Sequence, residues 1–274
     1  MRRAALILPA VLVVAVTAMG CGGGQSHPRV DPETMLDSAA AHPIRSADTD
    51  TDLGLRVDGV PQLSGPLHLR LQGAYLSGGG ERIPSFDWHL SASALGLPVG
   101  GRLVSTGENV YLSLYADQYE VGRSAISGAN ARLASAGGLR LRVRRWLGRA
   151  RVTGSGSAGG EDCERIAAPL RGEAVQADLA PLAGALGFEP PSVSGRAVAC
   201  VGYDDRVLHE LQVNAVLGLS AADSARLAGA TALHVNADIV ASDVGKPQRI
   251  EAPSGPFRPI RDLFLTLSDL AGSV

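Results

Sequence analysis

Aromatic residues make up only 4% of this 274-residue chain, so any core must be built from Leu, Val and Ala. Lysine is nearly missing, with Lys246 alone among 25 basic residues. The 25 basic and 27 acidic residues almost cancel, and a formal charge of −2 excludes the strong positive field of a general nucleic-acid binder. Charged residues reach only 19% against 45% hydrophobic, which excludes a disordered chain. After residue 21 no apolar run reaches the roughly 18 residues of a membrane helix. Cysteine occurs three times, too seldom for a disulfide-built miniprotein. Against these scarcities stand 34 glycines, a composition of turns and strands more than of long helices.

What is present begins with an export signal. Arg2 and Arg3 precede an apolar stretch from Ala4 to Ala18, too short to span a bilayer. It ends in Ala18-Met19-Gly20-Cys21, and Gly22-Gly23-Gly24 follows. A small residue before a cysteine, then flexible glycines, resembles a bacterial lipoprotein cleavage box, in which the cysteine thiol is lipidated. The alternative is an ordinary secretory peptide cut near Gly20. The expected division is a signal peptide over 1–20, a tether over 21–30 and one domain over 31–274. Lipidated at Cys21, the domain would sit on the outer face of the bacterial plasma membrane. Cys163 and Cys200 are then left in an oxidising compartment, where a disulfide is the default and two free thiols the alternative.

Asp31-Pro32-Glu33 reads as a helix start running to about Ala41, with an N-cap, Pro at N1 and an acid in the first turn. From there the period changes to two. Leu67-His68-Leu69-Arg70-Leu71, Phe86-Asp87-Trp88-His89-Leu90 and Val110-Tyr111-Leu112-Ser113-Leu114 alternate, with glycine-rich breaks between. A helical stretch over about Arg123–Gly148 follows, then strand-like segments flanking a helix over Glu173–Leu186. Alternation returns around Leu211, Val213, Leu233, Val235 and Ile239, and Pro259 to Ala271 reads as a closing helix. The pattern predicts one α+β domain: a single curved antiparallel sheet with helices on its apolar face.

Several of these segments form a recognisable set: Ser46-Ala47-Asp48, Phe86-Asp87, Leu103 to Tyr115 with Tyr119-Glu120-Val121, Gly202 to Leu208, and Asp243 to Pro253. They resemble the LolA-like superfamily, closest to actinobacterial LppX/LprG-type lipoproteins, across most of the mature chain. The resemblance implies a half-open barrel whose helices pack on the concave face around an apolar cavity for acyl chains. It also implies carriage of lipids or lipoproteins between membranes, with an unknown membrane transporter as a possible partner. A non-transporting envelope sensor or adaptor of the same fold, with a filled core, is the alternative.

Period two then assigns the concave face to Leu67, Leu69, Leu71, Phe86, Trp88, Leu90, Val110, Leu112, Leu114, Leu211, Val213, Leu233, Val235 and Ile239. Arg70, Asp87 and Ser113 should face water. Arg140, Arg144, Arg145 and Trp146 fall in an acid-free basic stretch with helical spacing, suited to an anionic membrane or lipid headgroup or simply to a solvated face. Gly154 to Gly159 fits G-x-G-x-x-G but lacks the strand-then-helix setting, so it reads as a flexible loop. The histidines show no metal spacing and read as surface imidazoles, and no nucleophile elbow or phosphate loop occurs. No cofactor, metal, nucleic acid or catalytic activity is expected.

Overall fold

The computed structural model describes residues 30–60, 65–79, 82–94, 97–135, 143–185, 189, 191–227 and 229–263. Cys21, Arg140 and most of the expected closing helix lie outside them. Asp31 caps helix α1 (Pro32–Ala41), its carboxylate accepting from the Thr34 amide. Then comes the meander read from the alternation: β1 (Ser46–Asp58), β2 (Leu67–Leu76), β3 (Ser85–Ala94), β4 (Leu97–Thr106), β5 (Val110–Leu114) and β6 (Asp117–Glu120). Within the stretch expected to be helical, the described residues form α2 (Arg123–Ser135) and α3 (Val143–Trp146), and α3 ends where Leu147 bridges with Leu170. The rest is β7 (Arg151–Ala158), β8 (Glu161–Pro169), α4 (Gly172–Ala185), β9 (Ser192–Gly202), β10 (Leu208–Gly218), α5 (Ala221–Arg226), β11 (Ala232–Ser242) and β12 (Arg258–Pro259).

All twelve strands form one open sheet in the order β12-β6-β5-β4-β3-β2-β1-β11-β10-β9-β8-β7. Only the β12–β6 pairing is parallel. The two meanders join where β1 pairs with β11, Leu55 opposite Val235 and Thr51 opposite Ile239. The glycine motif is corrected here: Gly154 and Gly156 lie in β7, hydrogen-bonded to β8, and Gly159-Gly160 makes their hairpin turn. Small residues suit this edge strand, since Arg165 packs directly against the Gly156 backbone.

The sheet curls strongly. Laid flat, β7 and β11 would stand about 19 Å apart, four strand spacings. Instead Gly159, at φ 59°, sits against the Ala241 carbonyl, so the β7–β8 tip reaches across β9 and β10 to β11. Beneath that tip Cys163 and Cys200 form the expected disulfide between neighbouring strands, with Cα atoms 5.4 Å apart. Closing a separation of 37 residues is worth about 3–4 kcal/mol by chain entropy.

One packed core lies at the β8–β10 end. There Met35 and Leu36 of α1, with Leu147, cover Ile166, Ala168, Ala197, Ala199, Val201 and Leu211. At the other end Gly73 faces Trp88 across β2–β3 with φ 140°, and a Cβ there would lie 2.1 Å from the Asp87 carbonyl. Gly73→Ala should therefore lower stability by about 1–3 kcal/mol, read as a fall in denaturation midpoint.

Candidate functional site

The register decides which side chains share a face. Leu114, Gly101, Leu90, Leu71, Thr51, Ile239, Leu211, Ala199 and Ile166 form one row across nine strands. A parallel row runs Ala92, Leu69, Leu53, Ala237, Val213, Ala197 and Ala168. Leu67 joins through Leu55 to Val235, Val57 faces Leu233, and Phe86, Trp88, Val110 and Leu112 fall on the same side. The residues assigned by period two thus share one face. Arg70, Asp87 and Ser113 point the other way.

Burial along this face is uneven. At the helix-covered end Leu211 is 7% exposed and Ile166 1%. On β1–β5 and β11 the side chains of Leu67, Leu69, Leu71, Leu90, Leu112, Leu114, Leu233 and Val235 are only half-buried, and Ile239 is 37% exposed. The helices account for the gradient. α1 and α3 lie over β8–β10, whereas α2 is tied to the far rim through Asn130, which accepts from the Ile83 amide and donates to the Gly107 carbonyl. Phe86 and Trp88 stack with centroids 3.9 Å apart, and the indole N–H donates to Thr49 Oγ1 at 3.0 Å. The Trp polar edge is therefore satisfied within the sheet, and its ring adds apolar surface to the open part of the face.

The opposite face carries paired charges, and at β4–β5 it also buries Val104 and Tyr111, the latter against the Phe257 ring. Arg70 forks onto Asp50, and Arg102 onto Asp87. These guanidinium hydrogen bonds hold both carboxyls below the usual carboxylate range. His68 and His89 are exposed, and His234 lies 2.6 Å from the Asp58 carboxylate. A solvent-open depression of about 380 Å³ lies between Asp52, His68, Gln212, Asn214, Asn236 and Asp238. Among the described residues no group of three or more His, Cys, Asp or Glu is placed to hold a metal.

Sequence reasoning missed two residues here. A bulge between Leu208 and Glu210 interrupts the alternation of β10, and the hairpin tip covers that end. His209 is consequently 2% exposed, with Nε2 2.8 Å from the Asp205 carboxylate. Glu210 is buried beside Arg165, 3.0 Å away, and accepts from Gln212. A polar His-Glu pair entering a strand gives no sign of such burial when read locally.

The basic stretch is used differently from a solvated helix. Arg144 joins Glu33 and Asp37 of α1, and Trp146 donates to Asp178 of α4 at 2.8 Å. Arg145 is half-exposed, 3.7 Å from Asp178. Arg144 and Trp146 thus clamp helices together, and only Arg145 of that described trio points outward.

No family model matches the chain, and no curated protein does. Among solved structures it is similar to the lipoprotein LppX of Mycobacterium tuberculosis, at 13% identity over 80% of this chain and 98% of that chain, with a TM-score of 0.43. LprF from Mycobacterium bovis shares 13% identity over 82% and 97% of the two chains, at a TM-score of 0.44. A LolA superfamily protein from Nitrosomonas europaea shares 9% over 79% and 96%, at 0.27.

Asp238 makes stability depend on pH. Burial, then Glu210 and Asp52, push its carboxyl above the usual carboxylate range. Its folded form therefore binds a proton more tightly than the unfolded chain does, and stability falls as pH rises from the ordinary value of about 4 through the raised one. Asp238→Asn should melt higher than the parent at pH 7 and lose that advantage below about pH 4. Thermal scans across pH 3 to 8 give the comparison.

Proposed function

We propose that the protein is a lipoprotein of the outer face of the bacterial plasma membrane, anchored through Cys21, whose sheet binds the acyl chains of a lipid or acylated cargo. The observation that carries this reading is the burial gradient on the apolar face. A face lined mainly by apolar side chains, with its leucines left half-buried over β1–β5 and β11, suits apolar matter that the chain itself does not supply. Each methylene removed from water there contributes about 0.8 kcal/mol, so about a dozen hold a chain without directional bonds. Binding of this kind needs no catalytic group, and its product is shielded transfer or presentation across the envelope. Polar groups at the rim would select the headgroup.

Two measurements test the reading. Native mass spectrometry of protein extracted in mild detergent should show a bound lipid mass, and Leu112→Trp should remove it while lowering stability by less than about 1 kcal/mol. A filled core gives the opposite pair: no lipid in the parent and a loss of about 1–3 kcal/mol in the variant. For the anchor, Cys21→Ala should move the protein from the membrane to the soluble fraction. Retention of that variant through a carbonate wash would overturn lipidation.

A further inference from the structure

With Arg144 and Trp146 engaged inside the molecule, the basic character of this region passes to other arginines. Arg149, Arg151, Arg171 and Arg196 are all exposed, and none has an ion-pair partner among the described residues. Drawn from separate parts of the sequence, they meet around Pro169 and Leu170. Arg196 pairs with Pro169 across β8–β9, and Arg151 pairs with Ala167 across β7–β8. The Gly148 amide, next to Arg149, donates to the Pro169 carbonyl, and the Arg171 amide donates to the Trp146 carbonyl. Strand spacings put the Arg151 and Arg196 backbones about 12 Å apart. Glu173, exposed in the first turn of α4, is the acid nearest to Arg171 along the chain. A chain of net charge −2 thus gathers at one corner four cations that have no ion-pair partner among the described residues.

The same corner is where the chain enters the fold. The Ala150 amide, between Arg149 and Arg151, donates to Glu33 Oε1 at 2.7 Å. Val30, Asp31 and Pro32 share a depression of about 390 Å³ with Glu164 and with Val152, an apolar residue 42% exposed on the edge strand. From Cys21 to Val30 the chain can extend about 30 Å at most. An anchor at Cys21 therefore keeps this corner within about 30 Å of the bilayer.

We propose that Arg149, Arg151, Arg171 and Arg196 form a docking surface for the anionic phospholipid headgroups of the membrane to which the chain is tethered, fixing the domain's orientation there. The inference rests on the envelope-anchored reading, but its electrostatics are separable from the anchor. Guanidinium groups take phosphate oxygens in paired hydrogen bonds. The attraction extends about 10 Å at 0.1 M salt, within the tether's reach.

The test measures partitioning of the full-length chain, as Cys21→Ser, between buffer and vesicles of phosphatidylcholine alone or with 30% phosphatidylglycerol. Arg2, Arg3 and the apolar stretch after them contribute alike to parent and variants, so comparing their anionic-to-neutral ratios isolates the four arginines. Each of Arg149→Gln, Arg151→Gln, Arg171→Gln and Arg196→Gln should lower that ratio about five-fold. Arg82→Gln, between β2 and β3 at the opposite end of the strands, should leave it unchanged, and 0.5 M salt should collapse it. Equal ratios for parent and patch variants, with unchanged melting curves, would overturn the docking surface. So would loss of tight single-stranded oligonucleotide binding in the variants with no change on vesicles, which would assign the patch to nucleic acid. Failure of the anchor alone appears differently: Cys21→Ser then leaves cell fractionation as in the parent, while the vesicle ratios still respond to the arginine variants and uphold the docking surface.

Discussion

A sheet of twelve strands with period-two alternation presents one continuous apolar face, and the chain has few helices to lay over it. Everything else follows from that mismatch in area. Two sheets could bury each other, and a fully closed barrel could bury its own interior, but this sheet stays open and carries the helices α1 to α5. Covering is therefore concentrated at one end. The β8–β10 end is dry and packed, while the β1–β5 end keeps its leucines half in contact with solvent.

The packed end is over-determined by connections from distant parts of the sequence. Glu33 is the hub: one carboxylate oxygen takes the Ala150 amide and the other takes the Arg144 guanidinium. This fixes α1 against α3 and the start of β7 together, so Met35 and Leu36 must land on Ile166 and Leu211. Asp178 repeats the device from α4 by accepting from Trp146. The disulfide and the Gly159 contact hold the other end of β7–β9. A scaffold pinned this way can leave its remaining apolar surface uncovered without collapsing over it.

What the residues showed locally was strand periodicity and capping. Leu67 to Leu71 and Phe86 to Leu90 alternate cleanly because one face is apolar and the other solvated; Val110 to Leu114 keeps the same period although Tyr111 is buried on the second face, and the register carries Val110, Leu112 and Leu114 onto the apolar side. Asp31-Pro32-Glu33 announces α1 because a cap is a four-residue affair. Failures came where a distant partner decides. Arg144 and Trp146 read as a solvent- or lipid-facing stripe, yet Glu33 lies 111 positions away and Asp178 lies 32 away. Gly154 to Gly159 reads as a loop on composition, and β8 makes it a strand. His209 is buried by a bulge and by a hairpin tip, neither of which leaves a trace in its neighbours.

Those failures share a cause that bears on function. Acid and basic residues in this chain were assigned by local composition, but their work is set by which charges the fold pairs off. Glu33, Asp37 and Asp178 draw Arg144 and Trp146 inward, and Glu210 takes Arg165 on the polar face. Among the described residues, Arg149, Arg151, Arg171 and Arg196 have no ion-pair partner and cluster beside the point where α1 begins. The polarity of the molecule then has a direction. Chain entry and free positive charge lie at the packed end, and the half-covered leucines extend away across β1 to β5. A domain held by that corner would stand with its open face running up from the membrane, and an acyl chain leaving the bilayer would meet the packed β8–β10 end before it reached the open leucines.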